Sequence, residues 1–594
     1  MALLAPRDRA RRLPRLAPGP DHHLARHRRL ARLTHGRAAP TIRPCPSLSP
    51  GGSRPSSTRC TPVVHGLERR WHRRSPGVID RLDHLVELGV GTVWLSPFFD
   101  SPQRDVGYDI RNYRDVAPEY GTIDDAQRLI DEAHARGLKV MFDLVLNHTS
   151  DEHPWFVESR SSRDNPKADW YVWADGTRGR TGKPKPPNNW RSELQIPRAW
   201  QWSPEREQWF LATFLSFQPD LNWRNAEVRE EMFDMVRMWL GRGVDGFRLD
   251  IFGSIMQDAQ LRDNDPRPTW FNGMPRLQTP TRTVNTEDNF QVAVDLRAVC
   301  DEFDGDRVLI GEVFGEPSVL RRYVEHEGKP GLNMVFLFEF LAASYGADRY
   351  RKLIERFERE FPAPMVPTYV VENHDRARSL SRLGGDLRKA RVLATLLCTL
   401  RGVPVLYQGQ EIGMENKYIP IAQSDDPVPR VVARWLPEWI NRRLPERLNR
   451  DEVRTPMQWA PSPGAGFTDP EVEPWLPIHE NHVTRNVATE AADATSLLHW
   501  YQDLLALRGQ RSSLRNGTLA MVERDDDVIQ FERRDGDGAI VVVANLGATS
   551  TSVAVPPSAP EALLLASDPG VRLAGAKVTL PPHTAAIVEV VAPA

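Results

Sequence analysis

The stretch GVDGFRLDI, residues 243–251, carries the fold in miniature. It is a short apolar run that ends on an acid, and it directly follows an amphipathic pattern over 226–242. A helix feeding a buried strand is half of a repeating unit. Arg248 and Asp250 stand two residues apart, so a strand here puts both side chains on one face. Working outward, the same kind of run recurs as GTVWLSP (91–97), LKVMFDLVLNH (138–148), RVLIGEV (307–313), GLNMVFLFEF (331–340), PTYVVENHD (367–375) and VPVLYQGQE (403–411). Helical patterns fit between them, at 122–137 and 386–401 for example. Short apolar strands alternating with helices predict a parallel sheet covered on both faces. Seven such strands and a helix after the last predict an eightfold α/β barrel, a (β/α)8 TIM barrel, with its first strand unaccounted for.

Composition frames this reading. The chain has 594 residues, 40% hydrophobic and 26% charged, with a net charge of −2. That balance is uneven. Residues 1–75 contain 17 Arg and no Lys against Asp8, Asp21 and Glu68, a net +14, which leaves the rest strongly acidic. An acidic body argues against nucleic acid as a partner. No apolar run reaches membrane-spanning length, and the N-terminus lacks the apolar core of a secretory signal, so a cytoplasmic protein with no membrane partner is expected. Four cysteines are too few and too scattered for a disulfide framework or a zinc site.

Three domains are expected beyond the basic segment 1–75. Residues 76–148 and 219–510 form the barrel. Residues 149–218, rich in Trp, Pro and Asn, break the alternation and suit an inserted domain. Residues 511–594 change to short alternating strands (GTLAMVE, DVIQFERR, AIVVVANLG, TSVAV, AAIVEVV), which predict a C-terminal antiparallel β-sandwich.

In a parallel barrel, chemistry gathers where the strands end at the C-terminal face. Polar groups end four of these strands: Asp143, Asn147 and His148; Arg248 and Asp250; Glu312; His374 and Asp375. Three acids and an arginine converging on one mouth can cleave an acetal. Arg248 beside Asp250 is expected to lower that carboxyl's pKa and keep it ionised, as a nucleophile requires. Glu312, after the apolar VLIG, is expected to be raised and to hold a proton. One lone acid at a strand end is more often a cap or turn residue; four polar clusters at four strand ends are much harder to explain that way.

DLVLNH, GFRLD, GEV and ENHD, in this order, resemble the four conserved regions of the α-amylase family of glycoside hydrolases (family 13). QPDLNW (218–223) and RTPMQW (454–459) resemble its α-glucosidase and oligo-1,6-glucosidase branch. The resemblance implies Asp250 as nucleophile, Glu312 as general acid/base and Asp375 as transition-state stabiliser. It implies that His148, Arg248 and His374 bind the sugar, that Asp105 and Arg454 grip the terminal non-reducing glucose, that Tyr108 stacks on that ring and that Phe214 lines the pocket. A retaining, exo-acting α-glucosidase working on short α-1,4- and/or α-1,6-linked oligosaccharides through a covalent glycosyl-enzyme follows, with the two catalytic carboxyls roughly 5–5.5 Å apart. Its rivals are a transglucosidase or isomerase of the same family, of the trehalose synthase or sucrose isomerase type, and a non-catalytic scaffold member or inactive product of a frameshifted gene. Ile251, the residue after the nucleophile, is bulky and apolar, which in such relatives accompanies α-1,6 cleavage. The region 188–202 departs from the branch at Leu194 and in length, at a surface expected to gate the substrate.

The family also implies a first strand followed by an Asp-rich loop that would bind a structural Ca²⁺ or Mg²⁺. No cofactor is required for the chemistry, and no metal ligand is legible here. Instead PVVHGLERRWHRRS (62–75) occupies the place. Codons for these residues can be chosen so that the frame one base later spells Arg-Ser-Phe-Met-Asp-Leu-Ser-Gly-Asp-Gly-Ile-Gly-Asp-Leu. Residues 1–75 are therefore expected to be an out-of-frame translation, with the first strand lost or garbled and the barrel left open. The alternative is a genuine basic tail.

Overall fold

The computed structural model describes residues 63–65 (backbone only), 77–194, 198–271, 274–432, 438–441, 449–536, 538–555 and 560–591. Eight strands form the barrel: β1 Val63–His65, β2 Thr92–Leu95, β3 Lys139–Val145, β4 Gly246–Asp250, β5 Val308–Gly311, β6 Met334–Leu337, β7 Thr368–Val370 and β8 Val403–Tyr407. They pair in parallel in the order β1-β8-β7-β6-β5-β4-β3-β2, and the ring closes.

The closure corrects the expectation of an open barrel. Val63, Val64 and His65 pair with Val405, Leu406 and Tyr407 on one side and with Thr92, Val93 and Trp94 on the other. Three residues suffice because a strand flanked on both sides satisfies both rows of backbone groups, and two of the three are β-branched valines. The place of the expected Asp-rich loop, and the out-of-frame stretch 1–75 apart from Val63–His65, lie outside the described residues. The first helix runs as a tight 3-10 turn, Ile79–Arg81, followed by Leu82–Leu88, and Gly89 ends it with a left-handed φ of 88°.

The remaining strands fall inside the predicted runs and are shorter. Each is almost wholly buried because the barrel interior covers one face and helices the other. Trp94, Met141, Ile310, Met334, Phe336 and Val405 fill the interior as one cluster. Two flanking helices begin on side-chain caps: Thr122 and Asp125 form a reciprocal capping box for Ile123–Ala135, and Asn225 caps Ala226–Gly241. The predicted strand 331–340 stops at Leu337, and Phe338–Leu341 turns helical.

Between β3 and β4 an excursion carries the helix Pro154–Ser161 and a three-stranded sheet of Trp173–Ala174, Gln208–Leu211 and Trp200–Ser203. Its core is aromatic: Phe156 packs on Tyr171, Trp173 and Phe210, and Trp190 stacks on Trp200.

After the helix Leu497–Gln510 the chain turns to antiparallel structure. Its strands are β9 Thr518–Met521, β10 Val528–Asp535, β11 Gly538–Asn545, β12 Thr551–Ala554, β13 Pro560–Ala566, β14 Arg572–Ala574, β15 Lys577–Leu580 and β16 Thr584–Val591. They form a five-stranded sheet, β9-β10-β11-β16-β13, and a three-stranded one, β12-β15-β14, with a shared valine-rich core. Three of these strands, β13 to β15, were not predicted.

Candidate active site

The site begins with register. β4 lies between β3 and β5, and Arg248 is level with Asp143 on one neighbour and Ile310 on the other. Its guanidinium is therefore delivered straight to Asp143, with Nη1 donating at 2.8 Å to Oδ1 and at 3.1 Å to Oδ2. The same Nη1 reaches Asp250 Oδ1 at 2.7 Å, and Nη2 donates to Glu312 Oε2. Glu312 follows the last residue of β5, one level above Leu249. One buried guanidinium thus gathers carboxyls from three adjacent strand ends.

Ile251 completes the turn out of β4. Its backbone sits in the left-handed region at φ 34°, ψ 39°, and its N–H donates to Glu312 Oε2 at 3.3 Å. A β-branched residue rarely adopts this conformation, and it costs about 1–3 kcal/mol. The strain aims a backbone donor at the second acid.

A second group of residues joins from loops. Tyr108 OH donates to Asp143 Oδ2 at 3.3 Å and lies 2.9 Å from His374 Nε2, with the two rings stacked at 5.9 Å. His374 Nε2 is 3.4 Å from Asp375 Oδ2. Asp375 Oδ1 accepts from Arg454 Nη2 at 2.8 Å and from Arg450 Nη1 at 3.2 Å. Asp250, Glu312 and Asp375 consequently belong to one connected network. The loop holding Asp105 and Tyr108 is a tight turn in which Tyr108 N–H donates to Asp105 C=O at 3.0 Å. Gly107 is required there: its φ is 97°, and a Cβ would come within 2.6 Å of the Pro97 carbonyl.

Asp105 and Arg454 are both expected to grip the terminal glucose. In the structure the arginine bonded to Asp105 is Arg450, with Nη2 donating to Asp105 Oδ1 at 3.2 Å, while Gln218 Nε2 donates to Oδ2 at 2.9 Å. Arg454 turns to Asp375 and to the His374 carbonyl, at 2.8 Å each. Arg450 was missed in the sequence; the signal was there, a second arginine one helical turn before Arg454. Asp143 was visible as a strand-end acid, but nothing in the sequence said that it would share Arg248.

His148, buried, lies beside Asn147 Nδ2 at 3.2 Å, and its backbone bridges to Asp220, so the QPDLNW segment forms a wall of the site. Phe214 is half-buried and follows Thr213, whose N–H donates to Asp220 Oδ1 at 3.0 Å; the bonds at this rim tie its neighbour to the wall. Of the unusual 188–202 region, Asn188, Asn189 and Trp190 dock on the loop after β4 by donating to Leu261, Asp263, Asn264 and Arg262. Residues 195–197 lie outside the described ones.

Electrostatics split the acids. Burial pushes Asp250 well above the carboxylate range, Arg248 works against this, and the Glu312 and Asp143 charges add to it. The expectation that Arg248 keeps Asp250 ionised by lowering its pKa is therefore overturned in the free site: one guanidinium among three buried carboxyls is outweighed. Burial likewise raises Asp143 to about 6 against Arg248, and Asp105 to about 6 against Arg450. Asp375 goes the other way. Desolvation works to raise it, but His374, Arg450, Arg454 and Arg248 together hold it well below its ordinary value. Burial also drives His374 well below its ordinary value, so that imidazole is neutral and the arginines carry the effect. Burial lowers His148 to about 3.

A closed parallel barrel whose mouth gathers three carboxyls around an arginine, with further polar groups joining from its loops, has the build of a glycoside hydrolase. Residues 75–517 match the model of the alpha amylase catalytic domain, and residues 518–587 match a domain of unknown function, DUF3459. The chain belongs to the α-amylase family of glycoside hydrolases. It is 39% identical to a probable alpha-glucosidase of Rhizobium meliloti (strain 1021), covering 81% of this chain and 86% of that protein. It is 36% identical to an oligo-1,6-glucosidase of Parageobacillus thermoglucosidasius, over 79% of this chain and 85% of that one. Among solved structures it resembles an alpha-glucosyl transfer enzyme with a TM-score of 0.80 and 35% identity, covering 90% of this chain and 99% of that one.

Proposed function

We propose that this chain is a retaining, exo-acting α-glucosidase that removes terminal non-reducing glucose from short α-linked oligosaccharides. The observation that carries the reading is the bond network in which Arg248 joins Asp143, Asp250 and Glu312 and connects through Tyr108 and His374 to Asp375.

The reaction needs one proton between Asp250 and Glu312. Placed on Glu312, that proton leaves Asp250 as the carboxylate. Asp250 forms a bond to the anomeric carbon while the glycosidic bond breaks, and the leaving oxygen takes the Glu312 proton. Water then gives a proton to Glu312 and its oxygen to the anomeric carbon, which releases Asp250. Asp375 moves no proton. Ionised by its arginines, it accepts hydrogen bonds from ring hydroxyls that strengthen as positive charge grows on the sugar. Asp105 with Arg450 grips the free end of the glucose, Tyr108, His148, His374, Arg454 and Phe214 frame it, and Ile251 favours α-1,6 linkages.

No step passes through a metal. Where the family has its Asp-rich loop this sequence offers Glu68 among Arg69, Arg70, Arg73 and Arg74, a donor set unsuited to a hard cation. Among the described residues no helix is long and apolar enough to cross a membrane; with the acidic body, this supports a cytoplasmic enzyme.

The likeness to a glucosyl transfer enzyme supports a second reading, in which a sugar rather than water takes the glucosyl group. Chromatography after incubation with maltose, isomaltose and sucrose separates the two. Free glucose, formed first as the α-anomer by NMR, supports the proposal, and a rearranged or lengthened sugar supports transfer. In either case Asp250→Asn should lower turnover on the order of 10⁴-fold; turnover that survives it would revive a non-catalytic role for the site and end both readings.

A further inference from the structure

Arg450 does not stand alone between Asp105 and Asp375. Its Nε and Nη2 donate at 2.7 Å each to the two oxygens of Asp426, a side-on pairing, while the bonds to Asp105 and Asp375 are both 3.2 Å. Asp426 is therefore the tight partner, and the two site carboxyls share the remaining edge of the guanidinium. Asp426 is fully buried and anchored from both sides. Its carboxylate accepts from Val428 N–H at 3.0 Å, and its own N–H donates to Asp451 Oδ2 at 3.2 Å. Asp451 also accepts from Asp425 N–H at 2.7 Å and Ser424 Oγ at 2.8 Å. Arg450 works against the burial of Asp426 and holds its carboxyl below the ordinary range, so it stays ionised at neutral pH.

We propose that Asp426 is a positioning residue of the sugar pocket, which acts through Arg450 to fix how one guanidinium is divided between Asp105 and Asp375. The inference rests on the exo reading above. An enzyme that accepts only chain ends must sense the hydroxyl from which a longer glucan would continue, C4 in an α-1,4 chain and C6 in an α-1,6 chain, and the C4 hydroxyl is the one this edge would meet. A guanidinium clamped on one edge offers its other edge at a set angle; unclamped, it would pair fully with one site carboxyl and leave the other short of a donor. Asp426 would thereby tune terminal-unit selection without touching the sugar.

The test is release of p-nitrophenol from p-nitrophenyl α-glucoside and from its 4-deoxy analogue, which reads glucosyl removal whether water or a sugar accepts it. Wild type should prefer the hydroxylated substrate by at least about 10²-fold in kcat/KM, since a site built around a hydroxyl rejects its absence. Asp426→Asn should cut that preference about tenfold. The ratio does not depend on how much of the variant folds. In an Arg450→Lys background Asp426→Asn should change it less than about twofold, because residues acting through one group are not additive. Asp426→Glu, which keeps the charge but shifts the carboxylate by a methylene, should not restore it. Unchanged preference in Asp426→Asn, equal effects in both backgrounds, or full rescue by Glu each overturns the positioning role. A wild type that does not discriminate between the two substrates ends the assignment of C4 sensing to this pocket, and this inference with it, whereas release of glucose from chain ends alone would keep the exo reading.

Discussion

Arg248 is one cation shared by three buried carboxyls, Asp143, Asp250 and Glu312, whereas Asp375 is one carboxyl approached by Arg450 and Arg454 with Arg248 nearby. The difference lies in how many cations each carboxyl meets. Where several acids share one guanidinium, burial prevails: Asp143 is raised to about 6 and Asp250 well above its ordinary value. Where one carboxyl meets several guanidiniums, the same desolvation is overcome and Asp375 stays ionised; Asp105, which shares Arg450 with two other acids, is raised to about 6. The chemistry proposed for the site needs both, a proton to give at one side of the anomeric carbon and a permanent charge at the other. The ratio also sets opposite pH dependences of stability. Raised carboxyls favour folding most below their unfolded value, and that contribution is lost as pH rises through about 6 for Asp143; the contribution of Asp375 is present above its unfolded value and is lost as pH falls well below it.

The comparison can be broken most forcefully at its centre. Arg248→Leu leaves three buried acids without their cation and should cost about 3–5 kcal/mol in urea unfolding at pH 7. The deficit should shrink at pH 5, where the acids take up protons; a deficit that grew on acidification would contradict the charge ratio argued here. Arg454→Met removes one of the cations around Asp375. Losing a charge-assisted bond of about 1.5–3 kcal/mol should lower kcat/KM about 10- to 100-fold with the fold intact. An unchanged kcat/KM would mean that the arginines around Asp375 are redundant. The smallest effect sharpens the first cluster. Asp143→Asn takes away a negative charge that raises Asp250, so the acid limb of kcat/KM should move to lower pH by up to about one unit. Movement to higher pH would show that Asp143 does not burden the pair.

The difference between the regions also marks what could be read beforehand. The first cluster was largely legible, because its residues end apolar runs and Arg248 and Asp250 share a strand face by simple alternation. The second was only half legible. Arg450 lies 345 residues from Asp105 and 75 from Asp375, on a short 3-10 segment with no periodicity to announce it. The C-terminal strand β13, PEALLLA, was missed for another reason: Glu, Ala and Leu favour helix locally, and only pairing with β16 makes the segment a strand. Val63–His65 was passed over because its surroundings look out of place, yet a gap between two ladders accepts three extended residues.

The sequence by itself determined the alternation of strand and helix, the barrel it implies, and the acids that stand at its mouth, because these depend on side-chain period and on which residue ends a strand. Only the tertiary structure decided how many cations each acid meets, which of two arginines reaches Asp105, and that the barrel closes. Those follow from register and from loops that meet in space, and a pKa set by burial and neighbouring charge has no value until the neighbours are known.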